Sequence, residues 1–187
     1  MNEGGQLINY QEIIDKFYPE DNALRHILLT HSRCVAQKAL HIVETHPQLD
    51  IDPDFILAAA MLHDIGIVRT NAPGIECHGT EPYIRHGVIG GAMLREEGCS
   101  EQLARVCERH TGAGLTLDDI LQRQLPLPHQ DFLPETIEEQ VICYADKFFS
   151  KSHIDREKTV DQAAISLAKF GNDGVQRFRR WVEMFEK

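Results

Sequence analysis

The feature that most constrains the fold is the segment from residue 53 to residue 66, PDFILAAAMLHDIG, which is apolar on nearly every side. A helix with apolar residues all round must be covered by other elements, so this segment is predicted to be a central buried helix. Pro53 and Asp54 are typical of a first helical turn, and Gly66 is typical of a helix end. The helix therefore delivers His63 and Asp64 to the interior of the protein.

Helical spacing of apolar residues extends over most of the remaining chain, and no alternating run is long enough to indicate a sheet. The fold class is therefore predicted to be all-α. Residues 67–82 are rich in turn formers and are predicted to be a loop. The length of 187 residues suits a single domain, 1–187, with a core of about 24–151 and C-terminal helices within 159–187 packed on it. Further helices are predicted at 22–44, 83–96, 101–109, 116–125, 135–151, 160–170 and 175–185, with an extended strap at 126–134.

The composition restricts the classes of partner. A formal net charge of −10 disfavours binding to nucleic acid polymers or anionic membranes, because both depend on clustered Lys and Arg. The N-terminus has no basic segment followed by an apolar one, and a cytoplasmic location is expected. Five scattered cysteines without a C-x-x-C pair indicate reduced thiols. An anionic substrate would need local positive charge, which bound metal ions would supply.

Four candidate metal ligands occur at inward-facing or terminal positions of three long predicted helices: His31, His63, Asp64 and Asp146. Burying a carboxylate such as Asp64 at the end of an apolar helix is costly unless a positive group meets it. A lone histidine on an apolar face is more often a satisfied core residue, and the dipeptide His63-Asp64 is by itself a weak signal. The order of the four residues along the chain strengthens the interpretation as a metal site.

With these residues the sequence resembles the HD-domain superfamily of metal-dependent phosphohydrolases, whose signature is H…HD…D. The match includes the tetrapeptide HDIG at His63 to Gly66 and covers roughly residues 24–151. The resemblance implies a helical HD-domain bundle in which His31, His63, Asp64 and Asp146 are the ligands of the main metal.

Two further histidines extend the pattern to H…HD…H…H…D. His86 opens a helix of small residues, and His110 ends a helix just before a Gly-x-Gly turn. This arrangement resembles the binuclear HD proteins, in which the corresponding residues bind a second metal. The strongest likeness is to a small, poorly characterised HDIG-domain family of archaea and bacteria, carried by HDIG, GAMLREEG, ERHTGAGLT and LPETIEEQVICYADK. One or two divalent transition metals, iron, manganese, zinc or nickel, are the expected cofactors, and a purely structural cluster is the remaining alternative.

The sequence departs from the family pattern at one position. Many HD phosphodiesterases carry a basic residue straight after HDIG, whereas Ile67 stands there in this chain. Arg69 or Lys147 is predicted to bind substrate phosphate in its place, although either side chain is also consistent with an ordinary solvated charge. The histidines that match no ligand position are interpreted as surface or loop residues, with His78 the least certain of them: His26, His41, His46, His78, His129 and His153.

The leading functional hypothesis is hydrolysis of a phosphoester or phosphoanhydride in a small phosphorylated substrate, a nucleotide or dinucleotide. In this hypothesis Asp64 and His63 are catalytic. Asp64 bridges two metals, which His31, His63 and Asp146 complete on one side and His86 and His110 on the other. A noncatalytic nucleotide-sensing module and a diiron oxygenase are the alternatives, because ligand types alone do not separate them. The sequence leaves the oligomeric state open.

Overall fold

The computed structural model describes residues 9–153 and 156–186. Within these ranges the chain forms nine α-helices joined by short 3₁₀ turns and irregular segments. The helices are α1 (Tyr10–Phe17), α2 (Ala23–Thr45), α3 (Pro53–Leu62), α4 (His86–Glu96), α5 (Glu101–Arg109), α6 (Leu117–Gln122), α7 (Ile137–Asp146), α8 (Val160–Ala168) and α9 (Asn172–Phe185). The predicted all-α fold class is confirmed.

The central position predicted for α3 is confirmed by its burial. Asp52 caps the helix by accepting a hydrogen bond from the backbone N–H of Asp54, and Pro53 occupies the first turn, where its missing N–H costs nothing. Ile56 and Leu62 are fully buried, and α3 packs against α1, α2, α5 and α7. The helix ends at Leu62, so His63 and Asp64 leave it inside the bundle.

The segment predicted as a loop at 67–82 contains a small sheet, which corrects the expectation that the chain has none. Strands β1 (Thr70–Ala72), β2 (Cys77–His78) and β3 (Glu81–Pro82) pair in the order β2-β1-β3. β1 is antiparallel to β2 and parallel to β3. Strands of two or three residues are too short to show an alternating apolar pattern, and the sequence therefore indicated only the turns between them.

Helix α1 is absent from the sequence-based prediction and fixes the HDIG segment in place. Asn9 caps this helix, and Ile14 is fully buried. The sequence therefore contains a helix cap followed by an apolar face, which could have predicted α1. The chain that follows α1 brings the Tyr18 hydroxyl into the core. This hydroxyl donates to the carbonyl of Ile65 at 2.8 Å and accepts from the backbone N–H of Val68 at 3.1 Å. Tyr18 thereby closes the turn that carries Asp64.

Close helix packing explains the glycines of HDIG and of α4. A Cβ at Gly66 would lie 2.2 Å from the carbonyl oxygen of His86, and one at Gly87 would lie 2.5 Å from that of Cys107. Neither backbone contact can yield to a methyl group, so only glycine fits at these positions. The prediction that the small residues of α4 allow close approach is confirmed.

The end of the chain packs beside α7. The helix predicted at 135–151 ends at Asp146, and the residues that follow it form turns. Tyr144 of α7 stacks on Phe178 of α9 with ring centroids 5.3 Å apart, and it contacts Phe185 at the same separation. The assignment of residues 1–187 to one domain stays a prediction. None of the helices in the described part of the chain combines the length and hydropathy needed to cross a bilayer.

Candidate metal centre

Six side chains named from the sequence converge on one point in the interior. His31 lies in the middle of α2, His63 and Asp64 follow the last residue of α3, and Asp146 is the last residue of α7. His86 is the first residue of α4, and His110 follows the last residue of α5. All six are buried. Five helices thus supply one cluster, and its members form two overlapping groups able to hold a metal ion.

The first group, called subsite A below, consists of His31, His63, Asp146 and Oδ2 of Asp64. Oδ2 of Asp64 lies 3.2 Å from Nε2 of His31 and 3.0 Å from Nε2 of His63. Oδ1 of Asp146 lies 2.9 Å and 3.6 Å from the same two nitrogens. Two imidazoles and two carboxylate oxygens therefore face a common centre.

The second group, called subsite B below, consists of His86, His110 and the other oxygen of Asp64. Oδ1 of Asp64 lies 3.5 Å from Nε2 of His86 and 3.4 Å from Nε2 of His110. The two Nε2 atoms are 3.0 Å apart. Asp64 therefore presents one oxygen to each subsite, which is the placement required of a bridging carboxylate.

Backbone carbonyls orient three of the four imidazoles. Nδ1 of His63, His86 and His110 each lies 2.7 Å from the carbonyl oxygen of the residue three positions earlier: Ala60, Tyr83 and Cys107. A carbonyl accepts only, so Nδ1 carries the proton and Nε2 of the neutral ring keeps a free lone pair. Such an outer hydrogen bond is the usual support of a metal-ligating histidine.

The charges in the cluster differ between the two subsites. Burial and the proximity of His110 lower the pKa of His86 to about 3, and burial lowers the pKa of His110 as well. Burial also opposes protonation of His63, but Asp64 and Asp146 outweigh it and raise its pKa to about 9. The Nε2 lone pairs of His86 and His110 therefore face each other unprotonated at neutral pH, which is unfavourable unless a cation lies between them.

The donor atoms of the cluster fit a divalent transition metal. Oδ1 of Asp64 is buried without a hydrogen-bond donor, whereas Oδ2 lies 2.6 Å from the ammonium group of Lys151. Orphaned buried acceptors of this kind are rare in native proteins and call for an ion. Imidazole and carboxylate together suit iron, manganese, zinc or nickel, whereas magnesium and calcium prefer oxygen ligands throughout. The identity of the metal and the ligand assignment stay predictions.

Lys151 is a functional candidate that the sequence analysis missed. Its side chain is 12% exposed, and its ammonium group is the nearest positive charge to Asp64. Burial alone would raise the pKa of Asp64, but Lys151 and His63 outweigh it and hold that pKa well below the usual range. Lys151 follows Asp146 by little more than one helical turn, but no sequence rule indicates that a lysine there reaches back to the end of α3.

The two basic residues predicted to bind substrate lie in different surroundings. Lys147 lines a cavity of about 500 Å³ that also includes Asp146 and Lys151, and its ammonium group lies 2.5 Å from Oδ2 of Asp146. Arg69 is exposed and does not belong to the lining of that cavity. Among the other histidines, His46 corrects the expectation of a surface position: it is buried and caps α2, with Nδ1 3.0 Å from the carbonyl of Ile42. The remaining five are exposed.

The chain is similar to known proteins over most of its length. The model of the HD domain family matches residues 28–150. An uncharacterised protein of Methanocaldococcus jannaschii is 36% identical over 64% of this chain and 64% of its own length. Two tRNA (cytidine(56)-2'-O)-methyltransferases, of Picrophilus torridus and Thermoplasma volcanium, are each 32% identical over 68% and 76% of this chain. The matched regions make up only 33% and 40% of those two enzymes.

Solved structures support the fold. The HD domain of the L. monocytogenes phosphodiesterase PgpH has a TM-score of 0.54 at 13% identity, covering 92% of this chain and 94% of that domain. The same domain in complex with cyclic-di-AMP has a TM-score of 0.52 and covers 96% of this chain and 98% of that domain. At this level of identity the likeness shows a shared architecture.

Proposed function

The chain belongs to the HD domain family, and from that premise we propose that it is a metal-dependent phosphohydrolase. The proposed reaction cleaves a phosphoester or phosphoanhydride bond in a small phosphorylated substrate, a nucleotide or dinucleotide. The observation that carries the proposal is the position of Asp64, whose two oxygens face two separate pairs of imidazole nitrogens.

The residues divide between two metal positions. His31, His63, Asp146 and Oδ2 of Asp64 would hold one ion, and His86, His110 and Oδ1 of Asp64 would hold the other. Bound divalent ions supply Lewis acidity, which polarises phosphoryl oxygens and lowers the pKa of water. Asp64 connects the two positions and keeps its negative charge, because its pKa is well below the usual range. His63 acts in the same cluster as a ligand whose Nδ1 is fixed by Ala60.

Lysines beside the cluster are proposed to bind the phosphoryl group. Lys151 and Lys147 line the cavity next to Asp146 and supply positive charge in a chain whose formal net charge is −10. Lys151 takes the role that the residue after HDIG plays in many relatives, since Ile67 stands at that position here and is fully buried. A positive charge near the transferred phosphoryl group stabilises the negative charge that develops on its oxygens.

The volume of the cavity limits the size of the substrate. Its volume of about 500 Å³ lies within the range typical of sites for small molecules, roughly 300–1,000 Å³. In the proposed step, the oxygen of water forms a bond to phosphorus while the bond from phosphorus to the leaving oxygen breaks. The water loses one proton, and the leaving group gains one.

A binding module without turnover is the second candidate. Two relatives carry the matched region as a third to two fifths of a protein named for a different reaction, a tRNA methyl transfer. As part of a larger enzyme, an HD region can regulate another domain. This candidate predicts nucleotide binding with no release of product.

A substrate screen tests the proposal. Purified protein is loaded with manganese, iron, zinc or nickel and incubated, with and without oxygen, with nucleoside phosphates, dinucleoside polyphosphates and cyclic dinucleotides. We expect release of phosphate or nucleotide by the wild type, independent of oxygen, and none by Asp64→Ala. Binding without turnover across the whole screen contradicts the hydrolase and favours the binding module, whereas turnover that requires oxygen favours a diiron oxygenase.

A further inference from the structure

The cavity beside the metal centre carries an excess of positive charge. Among the described residues that line it are four lysines, Lys147, Lys151, Lys158 and Lys169, and a single carboxylate, Asp146. The whole chain, in contrast, has 29 acidic and 19 basic residues. Like charges gathered in one partly enclosed space repel each other, so this concentration is unfavourable without an anion.

The four lysines differ in how their charge is balanced. Lys147 and Lys151 each contact a carboxylate of the metal cluster, at 2.5 Å and 2.6 Å. Within residues 9–153 and 156–186, neither Lys158 nor Lys169 forms an ion pair with an acidic side chain. The neighbouring carboxylate of Glu157 is directed to Lys38, 3.1 Å away. Among the residues that the structure describes, Lys158 and Lys169, called the distal lysine pair below, therefore have no carboxylate partner, and the ammonium group of Lys169 lies 4.8 Å from the centre of the Phe170 ring.

Two hydrogen bonds hold Lys158 beside the residues that directly follow Asp146 along the chain. Its N–H donates to the carbonyl of Phe148 at 2.8 Å, and its ammonium group donates to the carbonyl of Lys147 at 3.3 Å. The side chain is half-buried, and burial lowers its pKa, with Lys147 and Lys169 adding to the effect and Asp146 opposing it. A partly desolvated ammonium group with only a carbonyl partner is a ready ligand for a phosphoryl oxygen.

We propose that the distal lysine pair forms a second anion subsite, so that the substrate of this centre carries at least two phosphoryl groups. The first group lies at the metal cluster with Lys147 and Lys151, and the second contacts Lys158 and Lys169. Phe149, Leu167 and Phe170 line the same cavity and provide an apolar wall for the organic part of the substrate. The position of the first phosphoryl group rests on the proposed function. The second subsite requires only that a phosphoryl group binds there, because no bond is broken at it.

Binding measurements on the metal-loaded full chain test the subsite. The probes are AMP, with one phosphoryl group, and two ligands with two groups each: the analogue α,β-methylene-ADP and cyclic-di-AMP. The variants are Lys158→Gln and Lys169→Gln. Lys16→Gln is the matched control, since Lys16 pairs with Glu97 and does not line the cavity. Melting temperature and metal content establish that each variant is folded and loaded.

We expect Lys158→Gln to raise the Kd of at least one two-phosphoryl probe about tenfold by calorimetry, because a hydrogen bond to a charged group is lost. We expect Lys169→Gln to raise it about threefold, since this exposed charge is screened by salt. AMP binding should change less than about twofold in both variants. If affinity is lost only for α,β-methylene-ADP, the second phosphoryl group belongs to a chain of directly linked phosphates. If affinity is lost only for cyclic-di-AMP, the second group belongs to a dinucleotide.

Equal weakening of all three probes, or none, overturns the second subsite. These outcomes are separate from those of the hydrolase proposal. If the wild type hydrolyses a nucleotide but Lys158→Gln binds every probe normally, only the subsite is wrong. If the wild type hydrolyses nothing while Lys158→Gln loses affinity for the two-phosphoryl probes alone, the subsite stands and the hydrolase is wrong.

Discussion

Subsites A and B share Asp64 but differ in the charge that surrounds them. Subsite A combines two imidazoles with oxygens from two carboxylates, Asp64 and Asp146. Subsite B combines two imidazoles with only one oxygen, that of Asp64. Lysine balances the first group, because Lys151 and Lys147 contact its two carboxylates.

The difference indicates separate roles for the two positions. Subsite A offers four protein donor atoms to a divalent cation and subsite B offers three, and a larger set of protein donors holds the ion more tightly. Subsite A is therefore expected to bind its ion first and retain it longer. Subsite B has fewer protein donors, so an ion held there would keep more positions for water and substrate, as catalytic metal sites do.

Removing the shared carboxylate is the most severe test of this comparison. Asp64→Ala deprives both subsites of a donor at once, and we expect turnover to fall by about 10³-fold or more, with loss of metal from both positions. Asp64→Asn is the matched control for volume and should lose activity to a similar degree. The measurements are steady-state hydrolysis and elemental analysis. A folded Asp64→Ala protein with near-normal turnover would remove the central role of this residue.

Removing one histidine from each subsite separates the two positions. His86→Ala should lose about one equivalent of metal and lower turnover by roughly 10²-fold, because one of the three donors of subsite B disappears. His31→Ala should reduce the affinity of the tighter position. In a chelator titration of the wild type, the first equivalent of metal released should come from subsite B, the position that loses its metal in His86→Ala. Full occupancy in His86→Ala, or release of the subsite A ion first, contradicts the comparison.

The opposite pKa shifts of the two subsites predict a pH profile for protein stripped of metal. The pKa of His63 is raised to about 9, so its stabilisation is complete below about 6.5 and is lost as the pH rises toward 9. The pKa of His86 is lowered to about 3, so its contribution is complete above about 6.5 and is lost as the pH falls toward 3. We expect maximal stability near pH 6.5, with losses of the order of 1–3 kcal/mol on either side.

Thermal unfolding of chelator-treated protein between pH 5 and 9 checks this profile. His63→Gln should flatten the alkaline limb, and His86→Gln should flatten the acidic limb, while the other limb persists in each case. A profile that His63→Gln leaves unchanged would show that the two carboxylates of subsite A do not hold a proton on this ring.

The smallest effects concern basic residues outside the cluster. Lys151→Met should raise KM about tenfold, because its ammonium group lies beside subsite A. Arg69→Ala should change KM less than about twofold, since the side chain is exposed and lies outside the cavity lining. Steady-state kinetics with the best substrate of the screen measures both. A larger effect for Arg69 than for Lys151 would support the sequence-based prediction for Arg69 and contradict the role assigned to Lys151.

The sequence by itself determined the helical class and the residues gathered at the centre. Helical periodicity is a local signal, because residues three and four positions apart share one face of a helix whatever surrounds it. The same local reading placed His31 on an inner stripe and located His63 and Asp64 at the end of a buried helix. Pro53 and Asp54 marked the start of α3 for the same reason, whereas that helix ends at Leu62, before the predicted end at Gly66.

Only the tertiary structure decided how these residues meet. The division of Asp64 between two histidine pairs depends on the packing of α4 against the HDIG turn, which Gly66 permits. The contact of Lys151 with Asp64 and the balance of charge in the cavity join residues distant in sequence. The small sheet and the burial of His46 likewise arise from neighbours elsewhere in the chain. Such distances follow from how complete helices pack, and a pattern read along a single segment carries no information about them.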